Sequence, residues 1–238
     1  MARRRFFVDT IRNGSAELRG EDARHLTRVL RVEPGQRFEI SDNQAAYLAE
    51  VAEARGDRVN FRIVERIASA EPPVSITLLA SLFKFDRFEW MVEKATELGV
   101  ERIVPVEAVR TEKGLFEASH KRAERWRRIA REASQQSRRT RMPEIADSLR
   151  FGAALKYATG ARYFLDESEA KPLLSAVTSV SDSSSAAILL GPEGGWTEGE
   201  REESLNAGWI PVSLGPQILR AETAAAAALA ILINARMV

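Results

Sequence analysis

The sequence predicts an α/β protein of two domains, a small β-rich domain over residues 1–70 and a mainly parallel α/β sheet over residues 74–238. Residues 1–70 alternate short apolar segments with turn residues and contain no long helical pattern, which is typical of a β-rich domain. Pro72 and Pro73 stiffen the junction and prevent a helix from continuing through it. Beyond this junction, strand-length apolar runs alternate with amphipathic helical patterns, and this alternation predicts a parallel sheet.

In the first domain, the apolar residues of segment 21–30 have helical spacing, and the Pro-Gly pair at 34–35 indicates a turn. Asn43 lies in the connection 41–45 and can occupy a positive-φ position, so we expect a hairpin there. The segments with strand character are 5–8, 37–40, 46–51 and 59–64.

The second domain contains strand patterns and helix patterns in alternation. A serine-rich stretch, 179–185, is expected to be a surface loop. The expected strands before that loop are 75–82, 102–106 and 163–165, and the expected helices are 86–98 and 151–157.

The motif that is most informative about function begins with the apolar run 186–190. This run has strand length and is bounded by turn residues. Three glycines follow within residues 191–195, and glycines let a ligand approach the main chain closely. Thr197 and Glu200 then have the spacing of a capping box, which predicts the start of a helix. A strand, a glycine-rich turn and a helix start form the usual place for a ligand in an α/β sheet.

A second unit of the same kind follows at once. Gly208 ends the predicted helix, residues 209–214 form the next strand, and Gly215 begins a turn that leads into an alanine-rich run to Ile233. Because the two turns are close in sequence, we expect their strands to lie side by side. Neither turn has a dinucleotide or nucleoside triphosphate fingerprint. The spacing alone leaves two alternatives, a ligand site or two tight turns of an ordinary α/β domain.

Residues 120–141 form a strongly basic stretch. Trp126, Ile129, Ala130 and Ala133 are spaced to form the inner face of a helix. Two interpretations stay open, a solvated helix face or a phosphate-contacting surface, and the basic residues beyond the helix favour nucleic acid. The basic residues are Lys121, Arg122, Arg125, Arg127, Arg128, Arg131, Arg138, Arg139 and Arg141.

Composition narrows the classes of function. The chain has no cysteine, which excludes disulfides and thiolate metal sites, and its two histidines are far apart, so we predict no metal site. The formal net charge is +1, so affinity for nucleic acid must come from a local patch. The apolar segment near the N-terminus is too short for a signal-peptide core, and the C-terminal apolar run is too short to span a bilayer. We therefore expect a cytoplasmic protein.

Residues 190–195, LGPEGG, and 214–224, LGPQILRAETA, together resemble the paired signature of the RsmE family. These are 16S ribosomal RNA uracil-N3 methyltransferases of the knotted SPOUT superfamily. The similarity extends over nearly the whole chain and includes His25 with residues 29–31. Further matches are residues 93–100, EKATELGV, and 132–137, EASQQS.

The resemblance implies a PUA-like β-barrel RNA-binding domain followed by a SPOUT methyltransferase domain with a C-terminal trefoil knot. It also implies a homodimer, S-adenosyl-L-methionine as cofactor, and N3 of a uridine in 16S rRNA of the small ribosomal subunit (family target uridine 1498) as substrate. The run 224–233, apolar on all sides, fits a helix in a core or subunit interface. The chain departs from the family at 41–45, where many relatives have an Asp-Gly turn, and near Arg138, where they often have glycine.

The family's site residues transfer onto matching positions of this sequence. The resemblance places Arg220 at the cofactor loop as a catalytic group, whereas the residues alone also allow a structural pair between Arg220 and Glu222. Glu193 is either a ligand partner or a helix-start carboxylate. The implied cofactor-binding residues are Leu190, Gly191, Pro192, Glu193, Gly194, Gly195, Leu214, Gly215, Ile218, Leu219, Arg220 and Thr223. The expected RNA-binding residues are Arg5, Arg28, Arg31, Arg131, Gln135, Arg138 and Arg139.

Two other functions compete with methyl transfer to RNA. A non-catalytic RNA-binding or ribosome-assembly factor would not need the two glycine turns, and a nicotinamide-dependent enzyme would need the missing dinucleotide fingerprint. The sequence does not identify a base for the N3 proton.

Overall fold

The structure, a computed structural model, describes residues 4–68, 72–168, 170–179 and 184–237. The chain divides into two compact units, one formed by Met1–Glu71 with Arg131–Met142 and the other by Pro72–Ala130 with Pro143–Val238. Segment Arg131–Met142 therefore belongs with the N-terminal unit, whereas the sequence division had assigned it to the second domain. A division of the chain into two continuous segments could not predict this assignment, because the contacts of the segment are with residues far away in sequence.

The first unit contains one six-stranded sheet. Its strand order is β1-β4-β5-β6-β3-β2, with β1 and β4 parallel and the other pairs antiparallel. The strands are β1 Arg5–Phe7, β2 Ile11–Arg12, β3 Ser15–Arg19, β4 Arg37–Ser41, β5 Ala46–Arg55 and β6 Arg58–Ile67.

Helix α1, Gly20–Arg24, continues into one turn of π-helix, His25–Val29, so the helical pattern at 21–30 correctly predicted helix there. The hairpin of β2 and β3 was missed. Its turn is Asn13-Gly14, with φ of 49° and 71°, and an Asn-Gly pair is the strongest short hairpin signal. Asn43 has φ of 67°, which confirms its predicted positive-φ role.

The second unit contains an eight-stranded sheet in which every pair is parallel, as predicted. Its order is β10-β8-β7-β13-β11-β14-β12, and β9 also pairs with β8. The strands are β7 Ser75–Ser81, β8 Arg102–Glu107, β9 Glu144–Ile145, β10 Leu149–Arg150, β11 Ala161–Leu165, β12 Lys171–Pro172, β13 Ser185–Leu190 and β14 Ile210–Ser213.

Apolar side chains cover both faces of this sheet. Successive residues of a strand point to opposite faces, so Leu78 and Ile188 belong to one buried cluster and Leu79 and Leu189 to the other. Helices α2, α5 and α7 contribute to the first cluster and α4 to the second. The helices are α2 Phe85–Glu97, α3 Leu115–Gln136, α4 Phe151–Tyr157, α5 Leu173–Ser179, α6 Glu198–Asn206 and α7 Ala221–Ala235.

The two motif-bearing strands are not neighbours, contrary to the sequence prediction. β11 lies between them, and Tyr163 pairs with Ile188 of β13 on one side and Ile210 of β14 on the other. Proximity in sequence did not decide which strands pair, because β11, from an earlier part of the chain, lies between β13 and β14. The predicted serine loop falls largely on residues 180–183, which lie outside the described residues. Within the described ranges, no helix has the length and hydrophobicity needed to cross a membrane.

Candidate cofactor and substrate site

A cavity of about 340 Å³ lies at the carboxyl ends of β11, β13 and β14. Ligands in open α/β sheets bind at this edge, outside the carboxyl ends of the strands. Three segments line it: 165–167 after β11, most of 190–196 after β13, and 212–221 after β14, with Ala224. Although β13 and β14 are separated, their two glycine-containing loops therefore meet at one cavity.

Most of the predicted cofactor residues lie at this cavity. Two of the predicted residues, Gly194 and Thr223, do not line it. A Cβ added to Gly194 would point at Arg110, with 3.3 Å to its Cβ, and Thr223 is exposed on α7. Cofactor contact stays a prediction for the residues that do line it: Leu190, Gly191, Pro192, Glu193, Gly195, Leu214, Gly215, Ile218, Leu219 and Arg220.

The first loop, residues 191–196, is fixed by two side-chain hydrogen bonds. Arg110 donates from Nη1 to the carbonyl oxygen of Gly194 at 2.8 Å. The indole Nε1 of Trp196 donates to the carbonyl oxygen of Leu165 at 2.8 Å, which connects the loop to the end of β11. These bonds give the loop a defined conformation before any ligand binds.

The predicted capping box at the start of α6 is confirmed. Thr197 N donates to Glu200 Oε2 at 2.9 Å, and Glu200 N donates to Thr197 Oγ1 at 3.3 Å. The other carboxylate oxygen of Glu200 accepts from Val109 N at 2.8 Å, so Glu200 is buried but satisfied. The helix start is thereby joined to the loop that follows β8.

Backbone conformation favours glycine at one position of the first loop, and packing favours it at another. Gly195 has φ of +69°, and a Cβ there would lie 2.7 Å from Glu167 Oε1. A Cβ on Gly191 would lie 3.0 Å from the ring of Trp196. Larger residues at either position would shift the loop or the neighbouring side chain.

The second loop, residues 214–220, presents apolar and cationic side chains to solvent. Ser213 Oγ accepts from Gly215 N at 3.2 Å and shapes the turn. Ile218 is 84% exposed, although it is a large apolar residue at the cavity. Apolar exposure of this kind at a cavity rim is typical of a ligand-binding surface.

Segment 165–167 was missed as a site by the sequence reasoning. Asp166 lines the cavity and accepts two hydrogen bonds from Arg201, at 2.9 Å and 3.2 Å. Burial by itself raises the pKa of Asp166, but the hydrogen bonds from Arg201 and Ser168 outweigh it and lower the pKa below its ordinary value of 3.8. The available signal was the pair of acidic residues directly after the predicted strand 163–165.

Arg220 is exposed and lines the cavity, and its guanidinium has no hydrogen-bond or ion-pair partner within the described part of the chain. The alternative of a structural pair between Arg220 and Glu222 is therefore not what the structure contains. Glu222 instead faces Arg87 of α2, whose Nε lies 3.9 Å from Glu222 Oε1. Arg87 also donates to Glu193 Oε1 at 2.7 Å.

In the N-terminal unit, four of the predicted RNA-binding residues bond to acidic residues of that unit. Arg5 is buried and its Nη2 lies 3.0 Å from Glu39 Oε2, so the prediction that it contacts RNA is corrected to a structural ion pair. Arg138 binds the same carboxylate. Burial raises the pKa of Glu39, and hydrogen bonds from Arg138 and Arg5 more than offset this, so its pKa is lowered.

Arg131 and Gln135 share a second carboxylate, that of Asp22, at 2.9 Å and 2.8 Å. Arg139 donates to the carbonyl oxygen of Arg141. By contrast, Arg28 and Arg31 are exposed and have no partner among the residues that the structure describes. The free cationic groups of the predicted set are therefore these two.

The basic helix α3 is partly neutralised within the second unit. Arg122 and Arg125 contact Glu89 at 3.4 Å and 2.7 Å. Lys121 and Arg128 are exposed, and the described ranges contain no partner for either. Phosphate contact stays a prediction for Lys121 and Arg128.

The chain matches two families of known proteins. Residues 70–233 match the family described as RNA methyltransferase domain, and residues 18–64 match the family described as RNA methyltransferase PUA domain. The first match covers more than half of the chain and contains all three cavity-lining segments.

Individual relatives agree with these families. The chain is 30% identical over 236 residues to ribosomal RNA small subunit methyltransferase E of Bacillus subtilis, covering 92% of each chain. It is 34% identical over 215 residues to the protein of the same name from Synechocystis, covering 87% of this chain and 68% of that one. The crystal structure of the Neisseria gonorrhoeae protein of that name, bound to S-adenosyl methionine, superimposes with a TM-score of 0.86. It is 30% identical and covers 96% of this chain and 95% of its own.

The α/β fold with an N-terminal PUA-like domain agrees with these relatives, and the trefoil knot stays a prediction from the resemblance. The chain belongs to the family of ribosomal RNA small subunit methyltransferase E, the RsmE family.

Proposed function

We propose that this protein transfers the methyl group of S-adenosylmethionine to N3 of a uridine in 16S rRNA, and that it acts in the cytoplasm. One observation supports this most directly. An exposed arginine without a partner in the described chain, Arg220, lies at a cavity built by two glycine-containing loops. This arrangement combines a ligand site with a cation that is free to act on a second molecule.

The residues at the cavity fit the proposed cofactor. Its main-chain loops offer hydrogen-bonding groups for an adenine and a ribose, and Leu190, Leu214 and Leu219 supply apolar surface. Arg220 is the one cationic residue among the described lining residues, which also include three carboxylates. Glu167 is exposed and has no partner in the described chain, so the cavity favours a cationic ligand such as a sulfonium.

When bound, S-adenosylmethionine supplies an electrophilic methyl group. The uracil gives its N3 proton to a base or to solvent, and negative charge develops on the ring. The new N3–methyl bond then forms as the methyl–sulfur bond breaks, and S-adenosylhomocysteine leaves. The guanidinium of Arg220 is placed at the cavity to orient the uracil and stabilise that charge. Because N3 lies on the Watson–Crick edge, the target uridine must be unpaired and extruded from its neighbours.

We propose that RNA is held by the free cationic residues. From the predicted RNA-binding residues these are Arg28 and Arg31, and from the basic helix α3 they are Lys121 and Arg128. Arginine binds phosphate through paired hydrogen bonds, and exposed cations release counterions from RNA when they bind it. Arg139 is also proposed to contact RNA, although its Nε donates to the carbonyl oxygen of Arg141. The groups engaged by Asp22 and Glu39 support the unit that carries Arg28 and Arg31.

We also propose a homodimer. Helix α7 is alanine-rich, and several of its apolar residues, such as Ala227 and Ile231, are only partly covered within one chain. A second copy would cover that surface. Sedimentation analysis is expected to show twice the mass of one chain, and a monomer at micromolar concentration would contradict the proposal.

The function is tested with purified protein, isotopically labelled S-adenosylmethionine, and 16S rRNA as free RNA and as assembled small subunits. Digestion and mass spectrometry are expected to find 3-methyluridine at one site in wild-type reactions and far less with Arg220→Ala. Methyl groups on carbon 5 or on a ribose oxygen would overturn the N3 assignment. RNA binding without any transfer would favour a non-catalytic assembly factor.

A further inference from the structure

Arg87 on α2 contacts two acidic residues, one in the first loop of the cavity and one directly after the second loop. Its Nη1 donates to Glu193 Oε1 at 2.7 Å, in the first loop. Its Nε lies 3.9 Å from Oε1 of Glu222, which is in the first turn of α7, directly after the second loop. Arg87 itself does not line the cavity. One guanidinium therefore connects the first loop to the start of α7.

Glu222 needs a neighbouring cation. Its side chain is 12% exposed, and Oε2 is buried without a hydrogen-bond partner among the described residues. A carboxylate taken out of water in this way is stable only beside a positive charge. Arg87 supplies that charge in the structure.

Arg220 is the cationic residue closest to Glu222 in sequence, and it could replace Arg87 beside that carboxylate. It lies two residues before Glu222, at the N-cap position of α7, on a long flexible side chain without a partner in the described chain. If Glu222 lost Arg87, its carboxylate would attract Arg220. Arg220 would then be withdrawn from the cavity rim, where a substrate must meet it.

We propose that Arg87 is a positioning residue with two separable effects. By balancing the charge of Glu222, it leaves Arg220 free for the substrate. By bonding Glu193, it holds the first loop in the conformation that binds the cofactor. The first effect rests on the proposed role of Arg220 in methyl transfer, and the second does not.

The test compares four proteins: wild type, Arg87→Gln, Glu222→Gln and the double variant. Single-turnover methyl transfer at saturating S-adenosylmethionine is expected to slow at least about tenfold in Arg87→Gln. Glu222→Gln and the double variant are expected within about threefold of wild type, because no carboxylate is left to attract Arg220. A double variant as slow as Arg87→Gln would overturn the first effect.

Calorimetry with S-adenosylmethionine separates the second effect. Affinity is expected to fall about threefold to tenfold in Arg87→Gln and to remain low in the double variant, since the bond to Glu193 is missing in both. Glu222→Gln keeps that bond and is expected to bind normally. Normal affinity in Arg87→Gln would overturn the second effect.

A crystal structure of ligand-free Arg87→Gln gives a readout that needs no activity. The Arg220 guanidinium is expected within hydrogen-bond distance of Glu222, and an Arg220 that still faces the cavity would contradict the proposal. If wild type transfers no methyl group, the proposed function fails, but the crystal structure of Arg87→Gln still shows whether Arg220 pairs with Glu222.

Arg87→Lys covers the case in which Arg87→Gln does not fold. It keeps a cation near Glu222, so its transfer rate is expected within about threefold of wild type. A tenfold loss in a folded Arg87→Lys would overturn the charge-balancing role.

Discussion

Arg201 of α6 holds Asp166 through two hydrogen bonds, Nε to Oδ2 at 2.9 Å and Nη2 to Oδ1 at 3.2 Å. The Asp166 side chain is 3% exposed and Arg201 is 23% exposed. This two-pronged pair connects the helix after the first glycine loop to the end of β11, and Asp166 itself lines the cavity. The pair therefore stabilises one side of the cavity as well as the fold.

We expect Asp166→Asn to lower the free energy of unfolding by roughly 3 kcal/mol, the lower end for breaking a buried pair, because Arg201 keeps some contact with water. Thermal and denaturant unfolding measure this. The matched control is Asp147→Asn. The Asp147 carboxylate lies beside Arg127 and is 84% exposed, so its loss should change the free energy of unfolding by less than about 0.5 kcal/mol. Equal effects of the two substitutions would refute a structural role for the Asp166 pair.

The same pair predicts a pH dependence. The folded-state pKa of Asp166 is lowered, so its stabilising contribution is present above its ordinary pKa of 3.8 and is lost as pH falls further through the folded-state value. The stability difference between wild type and Asp166→Asn should therefore shrink below about pH 4. Denaturant melts from pH 7 down to pH 3 measure it, and a difference that stays constant over this range would contradict the assignment.

Arg220→Ala is expected to slow single-turnover methyl transfer at least about a hundredfold. Arg220 has no partner in the described chain, so its loss leaves no buried charge unpaired. The melting temperature and the affinities for S-adenosylmethionine and RNA should accordingly stay close to wild type. A large loss of melting temperature with near-normal transfer by the folded fraction would argue against a catalytic role.

Gly195→Ala is expected to weaken S-adenosylmethionine binding at least about tenfold and to destabilise the fold by roughly 1–2 kcal/mol, because an L-residue at φ of +69° is strained. The new Cβ would also displace Glu167 at the cavity. Gly199→Ala is the control, since it lies in α6 with open space around its Cβ position. Calorimetry measures the affinity of each variant for S-adenosylmethionine, and thermal melts measure its stability. Equal values for Gly195→Ala and Gly199→Ala would show that the first loop tolerates a side chain at position 195.

Replacing Arg28 and Arg31 together with Gln should weaken RNA binding and reduce the salt dependence. Two lost phosphate contacts correspond to a decrease of about 1.4 in the slope of log affinity against log salt concentration. The control is the double replacement of Arg12 and Arg55, which are also exposed on the N-terminal unit, so the charge change is the same. Binding isotherms at several salt concentrations measure this, and equal slopes for both variants would mean that net charge alone matters.

The sequence predicted the local structure at the site because local rules decide it. The run before Gly191 became β13, and the Thr197–Glu200 box caps α6 as its spacing indicated. Periodicity needs only neighbouring residues, and the capping box satisfies its own main-chain groups. The missed β2–β3 hairpin was also local, since the Asn13-Gly14 turn was visible in the sequence.

Pairings between distant residues were not predictable in the same way. Insertion of β11 between β13 and β14 brought Asp166 to the cavity, and nothing in the spacing of the two glycine motifs indicated it. The ion pairs of Arg131 with Asp22 and of Arg138 with Glu39 join residues about a hundred positions apart. A basic stretch in sequence therefore became, in part, a set of internal contacts.

Three features follow from the order of residues along the chain: the alternation of strands and helices, the two glycine-containing loops and the family signature that they carry. Which charged side chains are paired depends instead on how the chain folds. Among the described residues, the Arg220 side chain has no partner while Glu222 faces Arg87, and the Arg28 side chain has none while Arg5 is buried against Glu39. The physical reason is that charge pairing depends on distances across the fold, whereas sequence patterns report only on residues that are neighbours along the chain.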